Sequence, residues 1–569
     1  MSLVSNIINK EETKKLIRET LEDLSTTLSM SLGPNGSTTI IQDQFAMNQV
    51  ITKDGYTILN KLKYDNQVSS TVLDIVKKIS RKLVREVGDG STSAIIISNA
   101  LYHCLDAFIE KYPQVPTKDI LDVLQIYEDY LTNEIKEYAT PITEENFSVI
   151  KDIASIANNN DDKAGDLVYD VYKKIGANGF ISLETSSTDA DDTVISNGML
   201  FYRGNINTIF ATEPDKVSCV FDKPKIFMCN DSLTYDDLML LQAILGLVCC
   251  TQANPLVVIA KGYDPEVRNF FQINKMHNKQ LLFVPVDYAL IDQDHFNSFQ
   301  DLAVYLGCEI YDKANGLTIN PEDIEKSTNK IESMFGGALK VSITDSETHF
   351  TQGSGEEKII AERVDLIKEE ANKILQGKGK YVDVGADIFV CNKRIADLTC
   401  KTATIYVGGK SEIEKETRKF LMEDAVLACK SALKNGYIMG GNLIIPTIIF
   451  NNWDTFVNKI SDQINIPNIN KQIFIDDFNR VIVKSFAESF ANVLKNQNSV
   501  SDIEKIEAII TNCTSNYSLY NLKTREYESI SDTSIINSVC TDIEIMKACF
   551  SIIGLLVTSN QFISVQTNR

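Results

Sequence analysis

Gly88-Asp89-Gly90-Ser91-Thr92-Ser93 is the stretch of this chain whose residue types could do chemistry. Two glycines bracket an aspartate, three hydroxyl side chains follow, and an apolar helical pattern begins at once with Ala94, Ile95, Ile96, Ile97, Ala100 and Leu101. Such a pattern places free backbone N–H groups at a helix N-terminus, where orphan donors and the positive end of the dipole attract phosphate. Asp89 repels a phosphate directly, so it makes sense where a cation, Mg²⁺ above all, bridges carboxylate and phosphate oxygens. The competing reading is an ordinary glycine-rich loop capping a helix, and the hexapeptide alone does not choose.

Further segments bear on that choice. Leu32-Gly33-Pro34-Asn35-Gly36 is a turn signal, with glycine and proline setting the backbone. Ile51-Thr52-Lys53-Asp54-Gly55 supplies a lysine beside a second aspartate, and Glu423-Asp424-Ala425 precedes Gly436-Tyr437-Ile438-Met439-Gly440-Gly441. In this order the motifs resemble the nucleotide pocket of the chaperonins, and the resemblance runs across nearly the whole chain.

The resemblance implies ATP, Mg²⁺ and K⁺ as cofactors and assigns roles to particular residues. Asp89 matches the Mg²⁺-coordinating aspartate, and Gly90, Ser91, Thr92 and Ser93 match the phosphate cradle. Leu32, Gly33 and Pro34 match a turn closing over the nucleotide, Lys53 a residue beside the phosphates, and Ser31 a carbonyl that helps hold K⁺. Asp54 and Asp424 match the two carboxylates that orient the attacking water, and Gly440 and Gly441 match the later glycine segment. Asn521 and Ile535 fall at base-contacting positions. The chain also departs from the family: Asn442 stands where a third glycine is usual, Asn537 where a ribose-binding aspartate is expected, and Cys400-Lys401 where a glycine pair is usual. Because Asn still accepts a hydrogen bond from a hydroxyl, altered nucleotide affinity is expected rather than loss.

These motifs need elements to hold them. Apolar positions at helical spacing predict helices over Ile7–Ser31, Val72–Val84, Ile120–Tyr130, Asp166–Ile175, Ala361–Leu375 and Glu412–Ala432. Gly179–Glu184 and Ala403–Val407 read as strands, and Asn516–Tyr527 as a hairpin. The middle third alternates: strands near 255–260, 280–286 and 309–311, helices near 264–276 and 296–306, hence a parallel sheet covered by helices. No GxGxxG follows the first of these strands, which argues against a dinucleotide site there.

The resemblance orders these parts as a multidomain chaperonin fold. A mainly α-helical equatorial domain is built from 1–135 and 435–569. A small α/β intermediate domain takes 136–197 and 403–434, and an α/β apical domain takes 198–402. Gly198 to Gly204 looks like the start of a bacterial-type apical domain, so apolar residues after it are expected to grip non-native polypeptides: Ile206, Ile209 and Phe210, then Leu241, Ile244 and Leu245, then Phe271 and Ile273. Core packing is the alternative for each.

Composition narrows the classes. A chain of 569 residues is too long for one core, and 44% apolar content is ordinary for a globular protein. A net charge of −21 argues against nucleic acid or an anionic membrane as partner, and no uninterrupted apolar run approaches the length of a membrane span. The N-terminus is polar and does not read as a signal peptide. Twelve cysteines without CxxC spacing read as free thiols in a reducing compartment. The four histidines are too dispersed to suggest a zinc site. The expectation is therefore a cytoplasmic homo-oligomeric ring that folds client polypeptides with ATP, with a co-chaperonin lid allowed. The divergence suits a bacteriophage-encoded member working in its host's cytoplasm, or an organellar one in a mitochondrial or plastid matrix. Rival readings are a group II-type subunit with a built-in lid, a ring scaffold that has lost turnover, and a small-molecule kinase.

Overall fold

The computed structural model describes the chain apart from residues 1–3, 35, 43–48, 159, 178, 202, 205–206, 213–217, 289–292, 314–333, 346, 376–383, 400, 465, 467–468, 497–502, 530–532 and 567–569. The chain divides into two compact units. The first comprises Met1–Val171, Leu183–Asp191 and Tyr406–Arg569, the second Tyr172–Ser182 and Asp192–Ile405.

The first unit is a helical bundle around Ser91–Lys111, whose apolar side chains point in nearly every direction. Ile95, Ile97, Leu101 and Leu105 pack in one core with Leu21, Leu24 and Leu28 of Lys10–Ser29, with Phe474, Phe478 and Ile482 of Lys471–Asn496, and with Met546, Ile552 and Ile553 of Val539–Val557. By length and composition this central helix could cross a membrane, a property the sequence reading missed because Ser98, Asn99 and His103 interrupt its apolar run. Here its apolar surface is consumed by the surrounding helices. Asp106 near its end receives Lys14 at 2.7 Å and Arg18 at 2.6 Å, tying it to the first helix.

That first helix starts later than its apolar pattern suggests. Asn9 caps it, accepting the Glu12 N–H at 3.0 Å, while Val4–Ile8 is a strand paired antiparallel with Phe562–Gln566. Other helices run longer than expected: Gln67–Val87, Thr117–Glu137 and Glu412–Asn435. The expected hairpin is present as Ser518–Asn521 paired with Glu526–Ser529.

The second unit is built on a sheet whose strands include, in order, 192–201, 348–353, 335–343, 225–233, 256–263 and 283–287, with 219–222 also pairing 335–343. Leu256–Tyr263 and Phe283–Asp287 run parallel, as the alternating pattern predicts, and Lys225–Leu233, which that pattern does not include, joins them as a third parallel strand. Ile226, Val257, Val258, Ile259 and Val284 are wholly buried because crossover helices cover the sheet. The expected strand near 309–311 is only a single bridge, Cys229 to Tyr311. Gly198 sits inside strand Asp192–Phe201, where an added Cβ would meet Thr402 at 1.8 Å, so close strand packing demands glycine there. The eleven described cysteines are free; Cys400 lies outside the described residues.

Asp301, buried on Gln293–Leu306, joins three helices of this unit. It accepts Arg394 at 2.7 and 3.1 Å and Arg363 at 2.6 Å, and Arg394 also reaches Glu370 at 3.2 Å. Removing Asp301 would leave the Arg394 guanidinium buried without its main counter-charge. Asp301→Ala is expected to cost this unit about 3–5 kcal/mol in denaturant unfolding. A loss below about 1 kcal/mol would show that Arg394 finds water instead.

Candidate functional site

The hexapeptide Gly88–Ser93 lies between two helix ends in the first unit. Gly88, at φ 76°, ends Gln67–Val87 in the left-handed conformation, and Gly90, at φ 92°, opens Ser91–Lys111 in the same region. Both must be glycine. A Cβ at Gly88 would meet Leu427 at 2.6 Å, and one at Gly90 would meet Ile545 at 2.6 Å. No side-chain oxygen caps the Ser91 helix, so its first N–H groups are not claimed by a cap.

Close approaches bring the other motifs to this helix start. The backbone of Asp424, midway along Glu412–Asn435, lies 3.0 Å from the position a Gly88 Cβ would take. A Cβ on Gly55 would strike the Thr92 hydroxyl at 1.9 Å, so the Lys53–Gly55 turn also presses on the helix. Asp54 caps the short helix Gly55–Lys61, accepting the Tyr56 and Thr57 N–H groups at 3.1 and 2.7 Å. Its carboxylate is thus both fixed by a cap and carried to the site. Asp191 anchors the N-terminal half of the Asp424 helix by receiving Arg418 at 3.0 and 2.7 Å.

The result is a concentration of negative charge. Asp89 accepts the Gly90 N–H at 2.5 Å; protein packs around its base while its side chain keeps a face to solvent. Burial raises its pKa above the usual carboxylate range; the Gly90 bond lowers it and Asp54 raises it. Asp424 is pushed up by burial, then by Asp54, Asp89 and Glu423. Asp542, which the sequence reading did not single out, is buried on the first turn of Val539–Val557 and pushed up to about 7 by burial, opposed by a bond from Asn537 and reinforced by Asp89. Asp89 thus raises both Asp424 and Asp542, Asp54 raises Asp89 and Asp424, and a cation is the economical way to relieve such a concentration. Among the described residues no group of three or more His, Cys, Asp or Glu side chains is gathered to hold a metal alone. The donor set fits Mg²⁺ only if phosphate oxygens complete its shell.

The remaining site residues are placed as follows. Ser31 is buried, its hydroxyl donating to the Leu28 carbonyl at 2.9 Å, and Ser37 N–H to Met30 carbonyl at 2.7 Å closes the turn. Leu32 and Pro34 are half-buried in that turn, and Gly33, at φ 83°, packs on Val493. Asn496 pins the turn from outside by donating to the Ser29 and Leu32 carbonyls at 2.5 and 3.2 Å. Lys53 is half-buried beside Asp54. Gly440 N–H donates to the Ile535 carbonyl at 2.9 Å, and Gly441, at φ 78°, packs on Leu519 and Phe490. Asn537 lies on Ile536–Ser538, paired with Tyr437–Met439, and donates to Asp542 at 2.9 Å. Asn521 closes its hairpin instead of standing free: it donates to Glu528 at 2.7 Å and accepts the Lys523 N–H at 2.8 Å. Asn496 and Asp542 left no sequence signal, because each acts across hundreds of residues or on a partner that only the fold supplies.

The expected grip residues need correction. Phe210, Leu241, Ile244, Leu245 and Phe271 are buried in the core of the second unit, and Ile209 packs against it half-buried. Phe210 and Phe271 both lie against Phe283, with ring centroids 5.7 and 5.8 Å away. Helical periodicity marks an apolar stripe, and that stripe faces the sheet rather than solvent. Ile273 alone of the set is exposed, at 53%, on Pro265–His277, with Met276 at 66% on the same helix and Met239 at 73% on Leu238–Leu245. Ile206 lies outside the described residues.

With this geometry established, comparison with known proteins is informative. A model of the TCP-1/cpn60 chaperonin family matches residues 24–245. The chain is 26% identical over 422 residues to Chaperonin GroEL 3 of Psychromonas ingrahamii, covering 74% of this chain and 73% of that one. Two crystal forms of the chaperonin gp146 from the Pseudomonas aeruginosa bacteriophage EL, in the presence of ATP-BeFx, superpose with TM-scores of 0.68 and 0.61. They are 18% and 17% identical and cover 99% of both chains. The chain thus has the chaperonin fold along its whole length, matches the chaperonin family model over residues 24–245, and is similar in sequence to a GroEL-type chaperonin.

Asp542 gives this site a pH signature. Between about pH 4 and 7 the folded protein keeps a proton that the unfolded chain has released, so stability falls as pH rises through that window. Asp542→Asn removes this penalty. Without nucleotide the variant should melt above the wild type at about pH 8, with the difference shrinking as pH falls towards about 4. A melting difference constant across that range would contradict the assignment.

Proposed function

We propose that this chain is an ATP-driven chaperonin subunit. The observation that carries the reading is the convergence of Asp54, Asp89 and Asp424 on the uncapped start of the Ser91 helix. That combination suits a nucleotide triphosphate with its divalent cation. The Ser91–Ser93 N–H groups and hydroxyls would cradle phosphate oxygens, Lys53 would add positive charge, and Asp89 would hold the cation. When bound, Mg²⁺ supplies neutralisation of the phosphate charge. Asp54 and Asp424 hold and orient the attacking water and accept its proton. The Leu32–Pro34 turn would cover the nucleotide, the Ser31 carbonyl would help hold K⁺, and Asn537, Asn521 and Ile535 would line the nucleoside side. The phage EL chaperonin was crystallised in the presence of ATP-BeFx, and we assign this chain the same ligand class.

The expected three-domain division fits this reading. Segments 136–197 and 403–434 would form the intermediate part, and the latter carries Asp424, so closure of that part would bring the water-orienting carboxylate to the nucleotide.

Two variants separate the roles. Asp89→Ala should abolish Mg²⁺-supported nucleotide binding. Asp424→Ala should bind ATP nearly as the wild type does and hydrolyse it about 10²-fold or more slowly. Normal turnover in Asp89→Ala, or parallel loss of binding and turnover in Asp424→Ala, would contradict these assignments.

A ring is supported by two open-edged ribbons of the first unit. Ile7 pairs with Ile563 in one, and Ile40 with Ile51 in the other, and all four side chains are exposed. Paired isoleucines beside unpaired strand edges suit strand addition between copies. Among the exposed apolar side chains of the second unit, Met239, Ile273 and Met276 would dock non-native polypeptide, because hydrophobic attraction tolerates any sequence. The double variant Ile273→Ser/Met276→Ser should assemble and hydrolyse ATP while capturing an unfolded protein several-fold less well. Sedimentation as a monomer at micromolar concentration, with and without ATP, would overturn the ring. Unchanged capture would overturn the surface.

A further inference from the structure

Asn442 stands where the family resemblance expects glycine, and its backbone stays in glycine's territory at φ 57°. Asparagine tolerates that region better than most side chains, yet glycine would occupy it without strain. What asparagine adds is a side chain that reaches the helix start. Its Nδ2 donates to Ser93 Oγ at 3.0 Å and to Ser489 Oγ at 3.1 Å. Ser489, on Lys471–Asn496, donates its own hydroxyl to Ser93 Oγ at 3.2 Å. Ser93 and Ser489 are both buried, so bulk water does not compete for these bonds.

The hydrogen-bond inventory of this cluster is decisive. An amide nitrogen can only donate, and a hydroxyl has one hydrogen and two lone pairs. Both lone pairs of Ser93 are taken, one by Asn442 and one by Ser489. Its hydrogen is the one left to give, at the third position of a helix whose Gly90 cap offers no side-chain oxygen. We propose that Asn442, through Ser489 and Ser93, is a positioning residue that makes Ser93 a pure hydrogen-bond donor toward an anionic phosphate oxygen at the start of the Ser91 helix. This rests on the nucleotide reading of the site. It explains why a residue with a side chain stands in a glycine position: the amide presets a donor that would otherwise rotate freely between roles.

The test is a thermodynamic cycle on the full-length protein, with Mg-ADP affinity measured by titration calorimetry and melting temperature followed alongside. Asn442→Gly suits the backbone, so its melting temperature should change little while its Kd for Mg-ADP rises about tenfold, the worth of one charge-assisted hydrogen bond. Ser93→Ala should weaken binding to a similar extent, and the double variant Ser93→Ala/Asn442→Gly should be no weaker than either single one, because both act through one hydrogen. Asn442→Asp is nearly isosteric but accepts instead of donating. It should capture the Ser93 hydrogen and weaken binding more than Asn442→Gly. If the wild type binds Mg-ADP and Asn442→Gly binds it equally well, or the double variant shows additive losses, the positioning role is wrong and the nucleotide site stands. If the wild type itself does not bind Mg-ADP, the nucleotide reading falls and this inference with it.

Discussion

Like charges confined in one place are the constraint around which the first unit is organised. Asp54, Asp89, Asp424 and Asp542 come from four separate segments, and burial with mutual repulsion holds three of them above the ordinary carboxylate range. A fold does not tolerate such a cluster without a use, since each buried, unpaired carboxylate opposes stability. The structure secures it by backbone contact rather than by counter-ions. Gly88 lies on the Asp424 backbone, Gly55 on Thr92 and Gly90 on Ile545, each too close for a side chain. On the proposed reading, what the cluster lacks in positive charge would be supplied by a cation with its phosphates. Binding energy and the relief of stored repulsion thus act in the same direction.

The departures from the family pattern fit the same electrostatic logic. Asn537 stands where a carboxylate is expected, but a carboxylate is not missing from the neighbourhood. Asp542 lies five residues on, buried, with the Asn537 amide donating to it at 2.9 Å. At the other side Asn442 fills a glycine position and joins Ser93 and Ser489 in a bonded triad. Both asparagines are partnered, and both extend the polar network around the start of the Ser91 helix. Buried networks of this kind fix orientation when every member is satisfied.

The second unit shows how periodicity can mislead about function. Leu241, Ile244 and Leu245 form a clean apolar face, and that regularity is what a sheet-covering helix requires. The exposed apolar side chains, Met239, Ile273 and Met276, break the pattern instead of forming it. The helix carrying Met239 also widens into a π-helical turn at Gly246–Thr251, where Cys249 and Cys250 sit. Asp301 with its two arginines makes the helices on the far end of this unit a rigid group.

Local chemistry was legible in the amino-acid order. Glycines bracketing Asp89 announced a loop opening onto a helix start, and apolar spacing announced the helices and the parallel strands 256–263 and 283–287, but not their neighbour 225–233. These are short-range properties, set by steric limits on φ and by the period of each element. Which face of Leu238–Leu245 met the sheet, that Ile7 and Ile8 joined a strand with Phe562, and that Asn496 braced the Leu32 turn were decided only by tertiary structure. So were the convergence of four aspartates and the pairing of Asn442 with Ser489. The physical reason is that burial, pKa shifts and hydrogen-bond direction depend on what lies opposite a side chain, and in this chain the opposite partner is often several hundred residues away.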